Sequence, residues 1–198
     1  MVIDLLRHGV TGRDGHLDGR TDHVLSTEGW TQFRKQTASG DWSMIVTSPL
    51  RRTREAAEIL AKERNVDLRL DNDWAELDFG AWDGWSRSEI EGVARGHAAL
   101  AAFYRDPSAN SPPGGEPWAS FEARIGRALC RLAHEAGRES ILVVTHAGPI
   151  RLALSQSCGL PLDGLWALRI GYGTCIRLHL EADTNERVWG EIVEISQP

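Results

Sequence analysis

The sequence predicts an α/β fold, and specifically a three-layer α/β/α sandwich around a mostly parallel sheet with an antiparallel edge. Three observations support this prediction. Short aliphatic runs, typical of strands covered on both faces, occur at 2–6, 44–48 ("MIVTS") and 141–145 ("ILVVT"). Amphipathic helical patterns lie between these runs. Two alternating segments near the end of the chain, "TCIRLHL" and "RVWGEIVEI", indicate an antiparallel hairpin.

The length and composition predict one domain. A chain of 198 residues with 41% hydrophobic content can fill one substantial core, so we expect a single domain over residues 1–198. The 22 Lys and Arg residues against 28 Asp and Glu give a net charge of -6. This balance argues against nucleic acid as a partner, because such binding depends on basic neutralisation of phosphates. Any cationic site must be local.

The sequence carries no signal of a membrane or of an oxidising compartment. No run approaches the length of about 18 apolar residues that a membrane helix needs, and a signal peptide pattern is absent. Cys130, Cys158 and Cys175 are odd in number and lack a CxxC pair, so neither a disulfide framework nor a structural zinc site is indicated. We expect a cytoplasmic protein that contacts no membrane. The sequence is compatible with a homodimer but does not decide the oligomeric state.

The second aliphatic run leads directly into a helical pattern, "RRTREAAEILAKER". Ser48 and Pro49 before it offer an N-cap and a first-turn proline. Ala56, Ile59 and Leu60 predict the buried face of this helix. The alternation of strand and helix therefore starts early in the chain.

Residues 86–118 fit the core pattern less well and predict an insertion. The segment opens with a capping box from Ser86 to Glu89, continues as a helical stretch and then breaks into a Pro- and Gly-rich loop. We interpret it as a lid or a substrate-specificity element. The next helix, within "SFEARIGRALCRLAHEAG", should end at Gly137, and its apolar face is predicted at Phe121, Ile125, Leu129, Leu132 and Ala136.

Polar residues follow each of the three aliphatic runs, where ligands bind in open α/β sheets. The candidates at this edge are Arg7, His8, Thr11, Arg52, His146 and Ala147. Two arginines and two histidines beside backbone N–H groups suit a small multi-oxygen anion, and phosphate fits best. A histidine next to arginines is protonated less readily, so its neutral ring nitrogen is available for attack. The pattern favours covalent phosphoryl transfer.

These residues carry a resemblance to the histidine phosphatase superfamily, which also contains the cofactor-dependent phosphoglycerate mutases. Six segments match the superfamily pattern in order: "LLRHGVT", "LSTEGWTQ", "SPLRRTREAA", "AELDFGAWDG", "PPGGEPWASFEARI" and "VVTHAGPIR". The resemblance implies a phosphoglycerate mutase-like fold and a metal-independent reaction without a cofactor. Among subfamilies, the chain looks most like the bacterial α-ribazole phosphatases.

The resemblance also implies a role for each matched residue. His8 is the expected nucleophile, which forms a phosphohistidine, and Arg7, Arg52 and His146 are the expected phosphate clamp. Glu76 is the expected proton donor, because an alkoxide leaves poorly until it is protonated and a partly desolvated carboxyl can supply that proton. The loop after the first strand departs from the family pattern.

In that loop the family often has Glu and Asn, whereas this chain has Val10 and Asp14. A carboxylate at Asp14 would repel phosphate, so either it points away or the loop reaches the phosphate through Thr11 or backbone amides. We therefore predict substrate contacts at Thr11 and Ala147 and assign no role to Asp14.

A zinc site and an aromatic pocket are two further interpretations of unusual residues. No HExxH or HxH pair supplies zinc ligands, and two arginines would oppose a divalent cation, so no metal site is predicted. Trp74, Trp82, Trp85 and Trp118 fall near the predicted site loops, where they either line a pocket for a flat aromatic group or pack in the core and rim.

The predicted function is hydrolysis of a small-molecule phosphomonoester through a phosphohistidine. By resemblance the substrate is α-ribazole 5'-phosphate or adenosylcobalamin 5'-phosphate in cobalamin biosynthesis. Three alternatives stay open: a broad-specificity or sugar phosphatase, a phosphoglycerate mutase, and a non-catalytic phosphoester-binding domain. Mutases usually carry longer insertions that close the site, so the short chain favours hydrolysis.

Overall fold

The strands and helices alternate along the first part of the computed structural model, which describes residues 1–135, 140–183 and 187–198. The strands are β1 (Val2–Arg7), β2 (Met44–Thr47), β3 (Asp67–Leu70), β4 (Ser140–Thr145), β5 (Cys175–Ala182) and β6 (Val188–Ser196). The α-helices are α1 (Thr27–Thr37), α2 (Arg51–Arg64), α3 (Arg87–Gly92), α4 (Gly96–Arg105), α5 (Trp118–Ala133) and α6 (Ala147–Cys158). Short 3-10 helices occur at Asn72–Trp74, Gly80–Trp82 and Leu162–Ala167.

The described strands form one six-stranded sheet in the order β3-β2-β4-β1-β5-β6. The first four of these pair in parallel, whereas β5 runs antiparallel to β1 and to β6. This arrangement confirms the predicted fold class, including the antiparallel hairpin at one edge. It also places the carboxyl ends of β1, β2 and β4 side by side.

The sheet lies between two hydrophobic cores because alternate residues of each strand face opposite sides. Ile3 and Leu5 of β1 belong to the core shared with α5 and α6, whereas Leu6 belongs to the core shared with α1 and α2. Trp74 is fully buried in the first core and Phe33 is buried in the second. The two helical layers hold the strand ends in a fixed geometry.

The helix α2 covers the predicted segment, Arg51–Arg64, but its predicted N-cap is wrong. Ser48 does not cap this helix, which begins at Arg51 with Leu50 at the N-cap. Instead, the Asp22 carboxylate from a distant loop accepts the Arg51 backbone N–H at 2.7 Å. The Ser48 hydroxyl, predicted to cap the helix, instead lies 2.8 Å from Nε2 of His146, which is one of the predicted site residues.

The apolar periodicity predicts the buried face of α5 well and that of α2 only in part. Ala56 and Leu60 of α2 are buried as predicted, but Ile59 is 41% exposed. Ala57 and Ala61 are also buried, and they turn the buried stripe of α2 away from Ile59. In α5 the predicted face is buried at Phe121, Ile125, Leu129 and Leu132. The helix ends at Ala133, and the expected Ala136 and Gly137 positions lie outside the described residues.

Residues 86–118 contain the predicted capping box, then the helices α3 and α4, and then a loop. Both hydrogen bonds of the Ser86–Glu89 capping box are present at the start of α3, and a loop follows α4. The backbone of this loop meets the 78–83 turn, where Ala81 N donates to Pro113 O and Glu116 N donates to Asp78 O. Among the described residues, no helix is long and apolar enough to cross a membrane.

Candidate active site

The predicted site residues meet at the carboxyl edge of the sheet. Arg7 ends β1 opposite Thr145 of β4, and the backbone N–H of His8 donates to Thr145 O at 3.0 Å. A cavity of about 650 Å³ opens at this edge. Its lining includes six of the seven predicted site residues: Arg7, His8, Thr11, Arg52, Glu76 and Ala147. The seventh, His146, lies behind His8, with the two ring centroids 5.1 Å apart.

The ring of His8 is fixed in one tautomer by its own backbone. Its Nδ1 atom lies 2.7 Å from the carbonyl oxygen of Gly9. Because a carbonyl oxygen accepts and cannot donate, Nδ1 carries the proton and the lone pair is on Nε2. A neutral ring held in this way can act as a nucleophile through Nε2.

Burial and two neighbouring cations keep that ring neutral. Desolvation is the largest cause that lowers the pKa of His8 well below its ordinary value, and the positive charges of Arg52 and Arg7 lower it further. The side chain is nevertheless part of the cavity wall. His8 is therefore unprotonated at neutral pH beside two cations, which is the state that attack on an anion requires.

His146 is held by hydrogen bonds at both ring nitrogens. Arg52 Nε donates to Nδ1 at 3.2 Å, so Nδ1 is the acceptor and the proton resides on Nε2, which faces Ser48 Oγ at 2.8 Å. The ring is fully buried, and burial together with the charge of Arg52 and the neighbouring His8 lowers its pKa well below the ordinary value. In this structure His146 contacts Arg52 directly.

Arg52 is almost completely buried and is aimed by the loop of residues 18–22. Its Nη1 donates to Thr21 O at 2.9 Å and its Nη2 donates to Asp18 O at 2.7 Å. The Asp83 carboxylate anchors this loop by accepting hydrogen bonds from the backbone N–H groups of Gly19, Arg20 and Thr21. The guanidinium therefore stays at the cavity wall, and the partly exposed Asp22 carboxylate lies 3.9 Å from its Nη1.

Arg7 reaches the cavity from the end of β1. Its guanidinium stacks 3.8 Å from the centroid of the Tyr172 ring, and Nη1 donates to Ile170 O at 2.8 Å. The Nε atom is buried and has no hydrogen-bond partner among the described residues. A buried donor left in this state has unused capacity for an anionic oxygen.

Glu76 places a carboxylate in the wall of the same cavity as these cations. One oxygen accepts the Leu77 N–H at 2.9 Å and the other accepts the Gly148 N–H at 3.3 Å, in the first turn of α6. A Cβ atom at Gly148 would lie 2.1 Å from Glu76 Oε1, so a side chain there would displace the carboxylate from this position. The position suits a group that exchanges a proton with the oxygen of a leaving group.

The departures from the family pattern have separate structural accounts. Val10 is buried, its N–H donates to Gln32 Oε1 at 2.9 Å, and its carbonyl accepts from the Ser26 hydroxyl at 3.0 Å. Val10 thus anchors the loop to the start of α1. Asp14 is exposed and is absent from the cavity wall. The Asp14 carboxylate therefore does not line the cavity, which agrees with the alternative in which this side chain points away from the phosphate.

The sequence did not indicate most of the aromatic side chains in the cavity wall, which include Phe79, Phe103, Tyr104, Phe121, Trp166 and Tyr172. Tyr172 lies beside the predicted phosphate site, with its ring centroid 5.5 Å from that of His8. Of the tryptophans singled out from the sequence, Trp118 lines the cavity, Trp74 and Trp82 are buried in the core, and Trp85 is 42% exposed. Trp166 and Tyr172 follow α6 in a stretch without a family motif, so no local pattern indicated them.

Two further arginines in the cavity wall were also missed. Arg87 lies over the Tyr104 ring at 4.7 Å and Arg151 lies over the Trp166 ring at 5.0 Å. Arg151 follows His146 by five residues on α6, so its proximity could have been inferred once the helix was assigned. Arg87 belongs to the predicted insertion, whose side-chain directions the sequence does not specify.

The fold and the site together define an α/β protein in which two arginines and a neutral histidine share one cavity wall, an arrangement suited to a small anion. The chain belongs to the histidine phosphatase superfamily (branch 1), whose family model matches residues 3–191. This match confirms the resemblance that the six segments carry.

Relatives and solved structures extend over most of the chain. A bifunctional protein of Mycobacterium tuberculosis is 31% identical over 183 residues, which are 89% of this chain and 47% of the relative. The adenosylcobalamin/alpha-ribazole phosphatase of Escherichia coli is 25% identical over 178 residues, 87% of each chain. The structure of a mycobacterial glucosyl-3-phosphoglycerate phosphatase has a TM-score of 0.82 at 26% identity and covers 96% of both chains. This chain thus spans about half the length of the Mycobacterium tuberculosis relative.

Proposed function

We propose that the protein is a metal-independent phosphomonoesterase that acts through a phosphohistidine at His8. The observation that carries the proposal is the neutral His8 ring, with its lone pair on Nε2, beside the cations of Arg7 and Arg52 at one cavity wall. Arginine guanidinium groups bind phosphate oxygens in pairs and offset the charge that would otherwise repel a nucleophile. Thr11 and the first turn of α6 at Ala147 complete the proposed phosphate site.

The proposed reaction has two steps. In the first, His8 Nε2 forms a bond to phosphorus while the bond from phosphorus to the ester oxygen breaks, and Glu76 gives its proton to that oxygen. In the second, the Glu76 carboxylate takes a proton from water, the water oxygen bonds to phosphorus, and the N–P bond breaks to release inorganic phosphate. His8 is regenerated in the state in which it began.

His146 has a more specific proposed role than the phosphate clamp that the sequence resemblance implies. Its Nδ1 accepts from Arg52, and its Nε2 proton is directed at Ser48 Oγ. These contacts support a role in orienting Arg52, because the guanidinium is held between His146 and the carbonyls of the 18–22 loop. A rigid cation of this kind stabilises transition-state charge without reorganisation.

For the substrate we propose α-ribazole 5'-phosphate or adenosylcobalamin 5'-phosphate. The cavity wall contains several aromatic rings besides the predicted phosphate site, among them Phe79, Tyr104 and Trp166, and such rings suit a flat heteroaromatic base. The name of the Escherichia coli relative at 25% identity agrees with this substrate class.

A second candidate substrate is a small phosphomonoester that carries another acidic group, such as a phosphorylated sugar acid. Arg87 and Arg151 place two cations in the cavity wall in addition to the pair at the phosphate site. The indole Nε1 of Trp166 is buried and has no hydrogen-bond partner among the described residues, which leaves a donor for a substrate oxygen. A base without acidic groups makes less use of these contacts.

A substrate panel distinguishes these candidates. We expect phosphate release in the presence of EDTA, because arginines supply the charge that a metal would supply. The panel consists of α-ribazole 5'-phosphate, 3-phosphoglycerate, fructose 6-phosphate and p-nitrophenyl phosphate, compared by kcat/KM. Preference for the ribazole ester supports the first candidate, and preference for 3-phosphoglycerate supports the second. Similar slow release from all four indicates a broad-specificity phosphatase, and conversion of 3-phosphoglycerate to its isomer indicates a mutase.

The covalent intermediate is tested at His8. His8→Ala should abolish both acid-labile labelling from a ³²P-phosphomonoester and phosphate release, while circular dichroism stays that of a folded protein. His97→Ala is the control, because the His97 side chain is 79% exposed. Full turnover by the His8→Ala protein would refute the mechanism. Binding of phosphate by the native protein without turnover of any ester would instead indicate a phosphoester-binding domain.

A further inference from the structure

Arg124 of α5 is a buried cation whose hydrogen bonds converge on the segment that carries Glu76. Its Nη1 donates to the carbonyls of Asp73 and Ala75, both at 2.7 Å, and its Nη2 donates to the carbonyl of Glu76 at 3.0 Å. The residue is 8% exposed. Three carbonyls within four residues therefore share one guanidinium, which fixes the path of the backbone directly before and at Glu76.

Glu116 holds this guanidinium from the opposite side. Its two carboxylate oxygens accept from Arg124 Nε at 2.7 Å and from Nη2 at 2.9 Å. Both side chains are nearly buried, at 9% and 13% exposure. The paired geometry uses the planar fork of arginine, which the point charge of lysine does not reproduce.

The backbone that Arg124 binds has little regular structure of its own. The 3-10 helix Asn72–Trp74 ends two residues before Glu76, and Trp74 O accepts from the Thr145 hydroxyl at 2.7 Å. The side chain of Glu76 is held separately, because its carboxylate accepts a hydrogen bond from the Gly148 N–H at the start of α6. The position of the carboxyl thus depends both on this side-chain contact and on the contacts that hold the Glu76 backbone, and Arg124 makes the backbone contacts.

We propose that Arg124, oriented by Glu116, is a positioning residue that sets the place of the Glu76 carboxyl relative to the leaving group. The proposal rests on the proposed function, in which Glu76 protonates that group. Since Glu116 lies in the 86–118 insertion and its own N–H donates to Asp78 O, the insertion and the proton donor share one anchor. A change in the insertion is therefore transmitted to the step that releases the alcohol.

The dependence of rate on the leaving group tests this role. An alkyl alcohol needs a proton as it leaves, whereas p-nitrophenolate leaves without one, so misplacement of the acid should slow alkyl esters selectively. For Arg124→Lys and Glu116→Gln we expect kcat/KM, which reports the steps up to formation of the phosphoenzyme, to fall at least about tenfold on an alkyl monophosphate. On p-nitrophenyl phosphate we expect kcat/KM to fall less than about threefold, since a positioned acid contributes roughly 10²–10⁴-fold where it is needed. The comparison uses kcat/KM because kcat also contains hydrolysis of the phosphohistidine, in which Glu76 is the base for both esters.

Arg127→Lys is the matched control. Arg127 lies on the same helix and pairs with the Asp73 side chain, but it is 59% exposed and makes no bond to the carbonyls before Glu76. Its variant should resemble the native protein on both esters. Thermal unfolding and near-UV circular dichroism show whether each variant is folded, and Glu116→Gln keeps the shape of the side chain if Arg124→Lys does not fold.

Glu76→Gln, measured in parallel, separates failure of this proposal from failure of the proposed function. If Glu76→Gln slows the alkyl ester selectively while both Arg124→Lys and Glu116→Gln slow the two esters equally or not at all, the positioning role is overturned and the mechanism stands. If Glu76→Gln itself shows no selectivity, Glu76 is not the proton donor, and the positioning role is overturned with it.

Discussion

At the scale of single residues, Gly148 is an informative position because its missing side chain makes room for Glu76. A methyl group there would lie 2.1 Å from the carboxylate oxygen. Gly148→Ala should therefore displace the carboxyl and reduce kcat on alkyl monophosphates, by up to roughly the 10²–10⁴-fold that a positioned acid contributes. Steady-state kinetics on an alkyl monophosphate measure the effect.

Gly92→Ala provides the control for this substitution. A Cβ atom at Gly92 would meet nothing within 4 Å, so the same change in chemistry should leave turnover intact. Native-like kcat in Gly148→Ala would show that the carboxyl has freedom to move without loss of catalysis.

The sequence predicts the role of a residue when that residue lies in a recognisable motif, but not when its partners are backbone groups far away in the sequence. His8, Arg52, Glu76 and His146 lie in short segments with a recognisable pattern, and the structure brings them together. Arg124 and its partner Glu116 stand in the matched segment "PPGGEPWASFEARI", but the other partners of Arg124 are backbone carbonyls near residue 75, about fifty positions earlier in the chain. Backbone acceptors leave no signature in the sequence, so this contact required the structure.

At the scale of elements, the 18–22 loop positions Arg52, and the Asp83 carboxylate in turn fixes this loop through hydrogen bonds. Burial alone would raise the pKa of Asp83, but the hydrogen bonds from Thr21, Arg20 and Gly19 outweigh it and the pKa lies below its ordinary value. Asp83 is therefore a carboxylate at neutral pH. Its charge strengthens each of the hydrogen bonds that it accepts from the loop.

Asp83→Asn should weaken that anchor and with it the binding of phosphate. An amide has one acceptor oxygen where the carboxylate has two, so at least one loop N–H loses its partner. We expect a several-fold rise in the Kd for inorganic phosphate, measured by calorimetry, with a smaller change in Asp41→Asn, whose side chain is exposed. Equal affinities in the two variants would show that the loop holds Arg52 without Asp83.

The sequence predicted helices and strands where the apolar periodicity is clear. It did not predict the cap of a helix where a residue distant in sequence supplies that cap. The central strands and the capping box of α3 follow from neighbouring residues. The start of α2 instead depends on Asp22, which lies 29 positions before Arg51 along the chain. A cap supplied by another loop is a tertiary contact, and local sequence offered Ser48 in its place.

At the scale of the whole molecule, two buried neutral histidines couple stability to pH. Burial, assisted by Arg52, places the pKa of both His8 and His146 well below the ordinary value. Unfolding returns each to a pKa of about 6.5, so below that pH the unfolded chain binds protons that the folded chain does not. The free energy of unfolding is therefore highest above about pH 6.5 and decreases as the pH falls.

Each of these histidines should contribute a slope of up to about 1.4 kcal/mol per pH unit below pH 6.5. Urea unfolding between pH 8 and pH 5 measures the slope, and His8→Ala should remove the share of one histidine. Carboxylates with lowered pKa, such as Asp83, lose their stabilising effect at lower pH and do not obscure this window. A free energy of unfolding that is constant from pH 7.5 to pH 5.5 would contradict the prediction.

The topology of β1 also has a consequence for how the chain is made. This strand, which leads into His8, pairs on one side with β4 and on the other with β5, so that Val2 faces both Ser140 and His179. The ribosome delivers β1 well before β4 and β5, which follow it by more than a hundred residues. The backbone donors and acceptors of β1 stay without these partners until both strands have been made, when a chaperone can bind the exposed strand. Although His8 is translated before β4 and β5, the catalytic geometry forms only after both strands are available.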